Sequence, residues 1–156
     1  MWNDQQRHRL AFELKNTARR ASRFRFHDPR GDTYIQGPAL PLPHQSPCHL
    51  RVQLSPEFPW ESPRLFVIEP AVLPMHGGGT LADLGVSHDF HVLGPDGPGG
   101  CIELCFVDTW QPDMTVLGVL IKGEIWTKAY HEHLRDGRTI DTILGQWNQE
   151  LERSQP

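Results

Sequence analysis

The sequence predicts an α+β domain in which one antiparallel sheet packs on helices. Three observations predict it. Apolar residues recur at helical spacing near both ends of the chain, and a strictly alternating segment lies in the middle. Most of the 14 prolines and 14 glycines fall between residues 37 and 100, where they punctuate short apolar runs. Together the two types make up about 18% of the 156 residues, against roughly 12% in ordinary chains. The length suits a single domain spanning residues 1–156.

The elements follow in order. Residues 5–21 read as a helix, because Leu10, Leu14 and Ala18 fall at four-residue spacing beside Ala11. Asp28 to Asp32 is a turn cluster between short strands at 24–26 and 33–36. Leu50, Val52 and Leu54 alternate with Arg51 and Gln53, as in a half-buried strand. Leu65 to Ile68 is a continuous apolar run, as in a strand covered on both faces. These segments give a four-stranded meander. Residues 69–100 hold no long periodic segment and read as a long loop, a feature that is usually functional in a compact domain. A second helix is expected over 113–135, with Asp113 as N-cap and Gly137 as its stop, and a third over 139–152.

Composition excludes several classes. No apolar run reaches the roughly 20 residues of a membrane-spanning helix, and the first residues lack the pattern of a signal peptide. Three cysteines cannot close a disulfide framework and suit a reducing, cytoplasmic setting. The net charge of −4 and the pI near 6.1 argue against a nucleic-acid partner. Charge is uneven, since residues 1–30 carry eight Lys and Arg against three Asp and Glu, a net +5. That surplus reads either as a solvated helix face or as a docking surface for an acidic partner.

Certain motifs then stand in series. Gly37-Pro38 precedes strand 49–54, and Phe58-Pro59-Trp60 with Pro63 precedes the next strand. Cys101-Ile-Glu-Leu-Cys105 follows, and Trp110-Gln-Pro112-Asp-Met-Thr115 opens a helix. This series resembles the ubiquitin-conjugating enzymes, with their Tyr-Pro-Phe-x-Pro-Pro turn, Cys-Leu-Asp-Ile-Leu segment and Trp-Ser-Pro-Ala-Leu-Thr helix start. The resemblance runs in order over residues 5–130. The chain departs from it where the family has His-Pro-Asn, because His91-Val92-Leu93 puts leucine in place of asparagine. The residue before the cysteine is Gly100 in place of a branched one. In style the chain is similar to divergent bacterial members encoded beside a ubiquitin-like protein, an activating enzyme and a deconjugating peptidase.

The resemblance implies a UBC-like fold and a conjugating activity, in a bacterial antiphage-defence pathway. A ubiquitin-like protein would be taken from an activating enzyme as a cysteine thioester and passed to an amine of a protein substrate. Thiolate suits this role as both nucleophile and leaving group. Cys101 is the implied carrier, ten residues after His91 and nine before Trp110, and Cys105 is the alternative. The missing asparagine leaves the oxyanion to the amides of Gly97, Gly99 and Gly100, or to His91. The helix with Arg7, Arg9 and Lys15, together with Phe58 and Trp60, would dock the activating enzyme. The long loop would gate access to the thioester.

Other residues are weighed on their own chemistry. Cys48, beside an apolar strand, reads as packing. His131 and His133 either flank the active-site cleft, where imidazole would help deprotonate an acceptor amine, or end a solvated helix. The spacing of histidines and cysteines does not suit a zinc site, so no metal is expected, and no cofactor either. A second functional class stays open: a catalytically inactive variant that only binds ubiquitin-like proteins.

Overall fold

The computed structural model describes residues 2–28 and 32–156. Pro29, Arg30 and Gly31, the centre of the expected turn cluster, lie outside the described residues. Helix α1 spans Asp4–Arg20 and opens on a capping box, in which Asn3 and Gln6 satisfy each other's backbone N–H. The meander follows as β1 (Arg25–His27), β2 (Tyr34–Pro38), β3 (His49–Gln53) and β4 (Arg64–Glu69), each antiparallel to the next.

The sheet does not stop at four strands. It continues through β5 (Val86–Ser87), β6 (Val92–Gly94) and β7 (Ile102–Leu104), giving seven strands among the described residues in the order β1-β2-β3-β4-β7-β6-β5. The expected long loop 69–100 therefore contains two of these strands and two short 3-10 turns. Strands of two or three residues carry too few alternations for a period-2 signal, and Gly and Pro dilute it further.

Helix α2 spans Val116–Asp136 and α3 spans Ile140–Arg153. The N-caps are Thr115 and Thr139, whose side chains accept from the N–H groups of Gly118 and Thr142. Asp113, the expected cap, lies in the turn before. Gly137 ends α2 in the left-handed conformation, as its position predicts (φ 82°). No helix among the described residues is long and apolar enough to cross a membrane.

The core lies between one face of the sheet and the helices. Ile35, Leu50, Val52, Leu65, Val67 and Leu104 point inward and are buried. Val116, Val119, Leu120, Ala129 and Tyr130 of α2 meet them. Helix and sheet approach closely at Gly123, where a Cβ would stand 2.8 Å from Leu50 Cδ1.

Helix α1 buries an unexpected face. Gln6, Glu13 and Thr17 are buried, whereas Leu14, Ala11 and Ala18 of the expected stripe are exposed. Polar bonding accounts for Gln6 and Glu13, whereas the Thr17 hydroxyl is buried without a partner among the described residues. Gln6 Nε2 donates to the carbonyls of Pro56 and Phe58 at 2.7 and 2.9 Å. Arg9 donates to Glu13 at 2.7 Å and to the carbonyls of Pro112 and Met114. Glu13 in turn accepts from the Val116 N–H at 3.0 Å. A buried polar side chain that finds partners is tolerated where an orphaned one is costly.

Candidate thiol site

Three cysteines are present and none is bonded to another. Cys48 is buried, and burial pushes its thiol up to about 11, so it stays protonated and packs as a small apolar group.

Cys101 stands at the start of β7, directly after the 3-10 turn Pro98–Gly100. Gly99 and Gly100 take left-handed conformations (φ 67° and 80°), which is why glycine occupies them. The turn is closed by the Gly97 N–H donating to the Cys101 carbonyl and the Gly100 N–H donating to the Gly97 carbonyl, both at 3.0 Å. Gly97 itself has no room for a side chain. A Cβ there would lie 2.5 Å from Cys101 Sγ and 2.6 Å from Phe66 Cδ1. The thiol is thus packed beneath the turn on the side of the sheet turned away from the helices, only 5% exposed.

Charge surrounds it. Arg51, Phe66 and Glu103 pair across β3, β4 and β7 in one outward row. Arg64 grips Glu103 with two bonds of 3.0 and 2.7 Å, and its guanidinium lies 5.0 Å from the Phe66 ring centre. Burial raises the Cys101 thiol above its ordinary value, while Arg51 and then Arg64 pull it back.

The remaining expected site residues separate into groups. His91 is not gathered with Cys101. Its backbone takes a left-handed conformation (φ 51°), its carbonyl accepts the Cys105 N–H at 2.9 Å, and its Nε2 lies 2.8 Å from Asp141 Oδ1. Cys105 is half-buried and lines the same cleft as His91, while Cys101 does not. The amides of Gly97 and Gly100 are already engaged in the turn, which removes them as free oxyanion donors.

Trp110 packs against the 58–60 turn. Its Nε1–H donates to the Pro59 carbonyl at 2.7 Å and its ring faces Phe58, so it staples the 58–60 turn. Phe58 is fully buried between Trp2, Trp110 and Arg9, and cannot be a docking side chain. Arg9 is likewise consumed by its bonds to Glu13, Pro112 and Met114. Arg7, in an exposed pair with Asp4, Lys15 and the 48%-exposed Trp60 remain on the surface.

His133 is buried with both ring nitrogens bonded, Nδ1 to the Arg138 carbonyl at 2.7 Å and Nε2 to the His76 N–H at 3.1 Å. The Arg138 carbonyl accepts from Nδ1–H and Nε2 accepts the His76 N–H, so the ring serves as a clasp. His131 lines a different cleft with Leu42, Lys128, Arg135 and Trp147, where burial lowers its basicity. Neither histidine lines the cleft that holds Cys105.

Residues 74–90 of the expected long loop are fastened to α2. His76 is held by His133, the Tyr130 hydroxyl donates to the Pro74 carbonyl at 2.8 Å, and Trp126 Nε1–H donates to the Phe90 carbonyl at 2.9 Å. The segment is tied to α2. Among the described residues no group of three or more His, Cys, Asp or Glu side chains is placed to hold a metal ion.

Sequence reasoning missed Asp141, because an acid in the first turn of a helix reads as ordinary dipole chemistry. Nothing in the sequence links it to a histidine fifty positions earlier. No family model, curated protein or solved structure matches the chain.

Proposed function

We propose that the chain is a conjugating enzyme for a ubiquitin-like protein, with Cys101 as thioester carrier. The observation that carries this reading is the ordered series from Gly37-Pro38 through the Phe58 turn and Cys101 to Trp110 and α2. The element order, a helix, a meander and then helices after the cysteine, supports it. So does the setting of the thiol beneath a glycine turn with two arginines near it.

In this reading the Cys101 thiolate attacks the thioester carbonyl held by the activating enzyme, whose own thiolate departs. An acceptor amine of a protein substrate then attacks the new thioester and releases Cys101. Arg51 and Arg64 offset only part of the burial that raises the Cys101 thiol, and the turn must open for a carbonyl to reach it.

The deep burial of Cys101 favours a second reading, a module that binds a ubiquitin-like protein without carrying it. Incubation with activating enzyme, ATP and ubiquitin-like protein separates the two. The first reading expects an adduct on a non-reducing gel that thiol reagents remove and that peptide mass mapping places on Cys101. Binding with no adduct supports the module.

A further inference from the structure

A second thiol sits where Cys101 does not, in an open cleft. The cleft lies between the ends of β4 and β7 and helices α2 and α3, and has a volume of about 590 Å3. Its floor is apolar, from Leu65, Leu104, Phe106, Trp126 and Leu144. Cys105, His91 and Asp141 line the same cleft.

The arrangement is built, not incidental. The Cys105 N–H donates to the His91 carbonyl at 2.9 Å, which joins the two backbones. The 2.8 Å contact between Nε2 and Asp141 Oδ1 fixes the orientation of the imidazole. A further backbone bond, from the Asp141 N–H to the Asp89 carbonyl at 2.9 Å, ties the first turn of α3 to the same segment. His91 holds a left-handed conformation (φ 51°) that is strained for a non-glycine residue and persists only where its surroundings impose it.

We propose that Cys105 is a nucleophilic thiol, with His91 as its base and Asp141 as the residue that orients the imidazole. The cleft takes an acyl thioester whose carbonyl is flanked by an uncharged chain, which the apolar floor accommodates. His91 Nδ1 accepts the Cys105 proton, and the thiolate adds to the carbonyl. The donor's C–S bond breaks, and its departing thiolate takes the proton from the imidazolium. A Cys105 S-acyl bond and a free thiol result. The choice of a thioester donor rests on the function proposed above, whereas the reactivity of Cys105 does not.

The test uses the purified chain alone with iodoacetamide, and peptide mass mapping to follow Cys101 and Cys105 separately. Cys105 should alkylate faster than Cys101. His91→Gly relaxes the left-handed backbone, so it removes the imidazole without adding strain. It should slow Cys105 about a hundredfold and leave Cys101 unchanged, and added imidazole should restore part of the rate. Asp141→Asn should slow Cys105 about tenfold with the thermal midpoint unchanged.

Equal Cys105 rates in the parent chain and His91→Gly, or a slow rate that imidazole does not restore, would overturn the proposal. A peptide benzyl thioester then tests the donor: acyl mass on Cys105 is expected, and its absence overturns the thioester assignment. A reactive Cys105 in a chain that forms no adduct with the activating enzyme would count against the conjugating function alone.

Discussion

The carboxylate of Glu13, buried in α1, accepts the backbone N–H of Val116 at 3.0 Å and so satisfies an otherwise orphaned donor in the first turn of α2. Its other oxygen takes Arg9 Nε at 2.7 Å. Two helices are thus joined through one carboxylate. Glu13→Ala leaves Arg9 without its anion and Val116 without its acceptor, and should cost about 3 kcal/mol in urea unfolding.

The same carboxylate makes stability depend on pH. Burial raises it above the ordinary 4.5, against the lowering effect of Arg9 and the Val116 N–H. A raised folded value means that its contribution is fully present below 4.5 and is lost as pH rises through the folded value. Glu13→Gln keeps an acceptor for Val116 but does not titrate. The melting temperature of the parent chain relative to Glu13→Gln should therefore rise as pH falls from neutral towards 4.5. A constant gap, or one of opposite slope, contradicts the assignment.

Gly97 and Gly99 should respond differently to alanine. Gly97 has an ordinary backbone, but its Cβ would meet Cys101 Sγ at 2.5 Å. Gly97→Ala should lower stability by about 2 kcal/mol through overpacking and change the alkylation rate of Cys101. Gly99 faces open space with φ 67°, so Gly99→Ala should cost about 1 kcal/mol of backbone strain and leave Cys101 alone.

Arg51 is the foremost of the charges that oppose burial at Cys101. Arg51→Gln should raise the Cys101 thiol further and slow its alkylation at neutral pH. A pH series of alkylation rates, read at Cys101 by mass mapping, should show the curve moved to higher pH.

Trp110→Phe tests the staple. It keeps the ring near Phe58 and removes the donor to the Pro59 carbonyl. A loss of about 1 kcal/mol in denaturant unfolding is expected.

The meander and the three helices were legible because their patterns are long enough to repeat: Leu50, Val52 and Leu54 alternate, and α2 shows several apolar turns. Strands β5 to β7 were not, since two or three residues give no period. The inner face of α1 misled for a different reason. Leu14 and Ala18 satisfy the apolar pattern, yet the partners of Gln6, Arg9 and Glu13 lie near residues 56–58 and 112–116, and only folding brings these together. Cys101 and the glycines before it were visible as a local motif. The grouping of His91 with Cys105 and Asp141 was not, because it depends on where α3 begins.

The polar inner face of α1 also acts as a vernier. Apolar contacts vary smoothly as one surface slides over another, so a greasy helix can shift by a turn at modest cost. Gln6, Arg9 and Glu13 each address fixed backbone atoms on the turn after β3 and at the head of α2. A displacement of one turn would break all of these bonds together and strand their buried partners. Position along the axis is therefore read off like a scale, with one mark that fits, and α1 should leave the body of the domain as a unit or not at all.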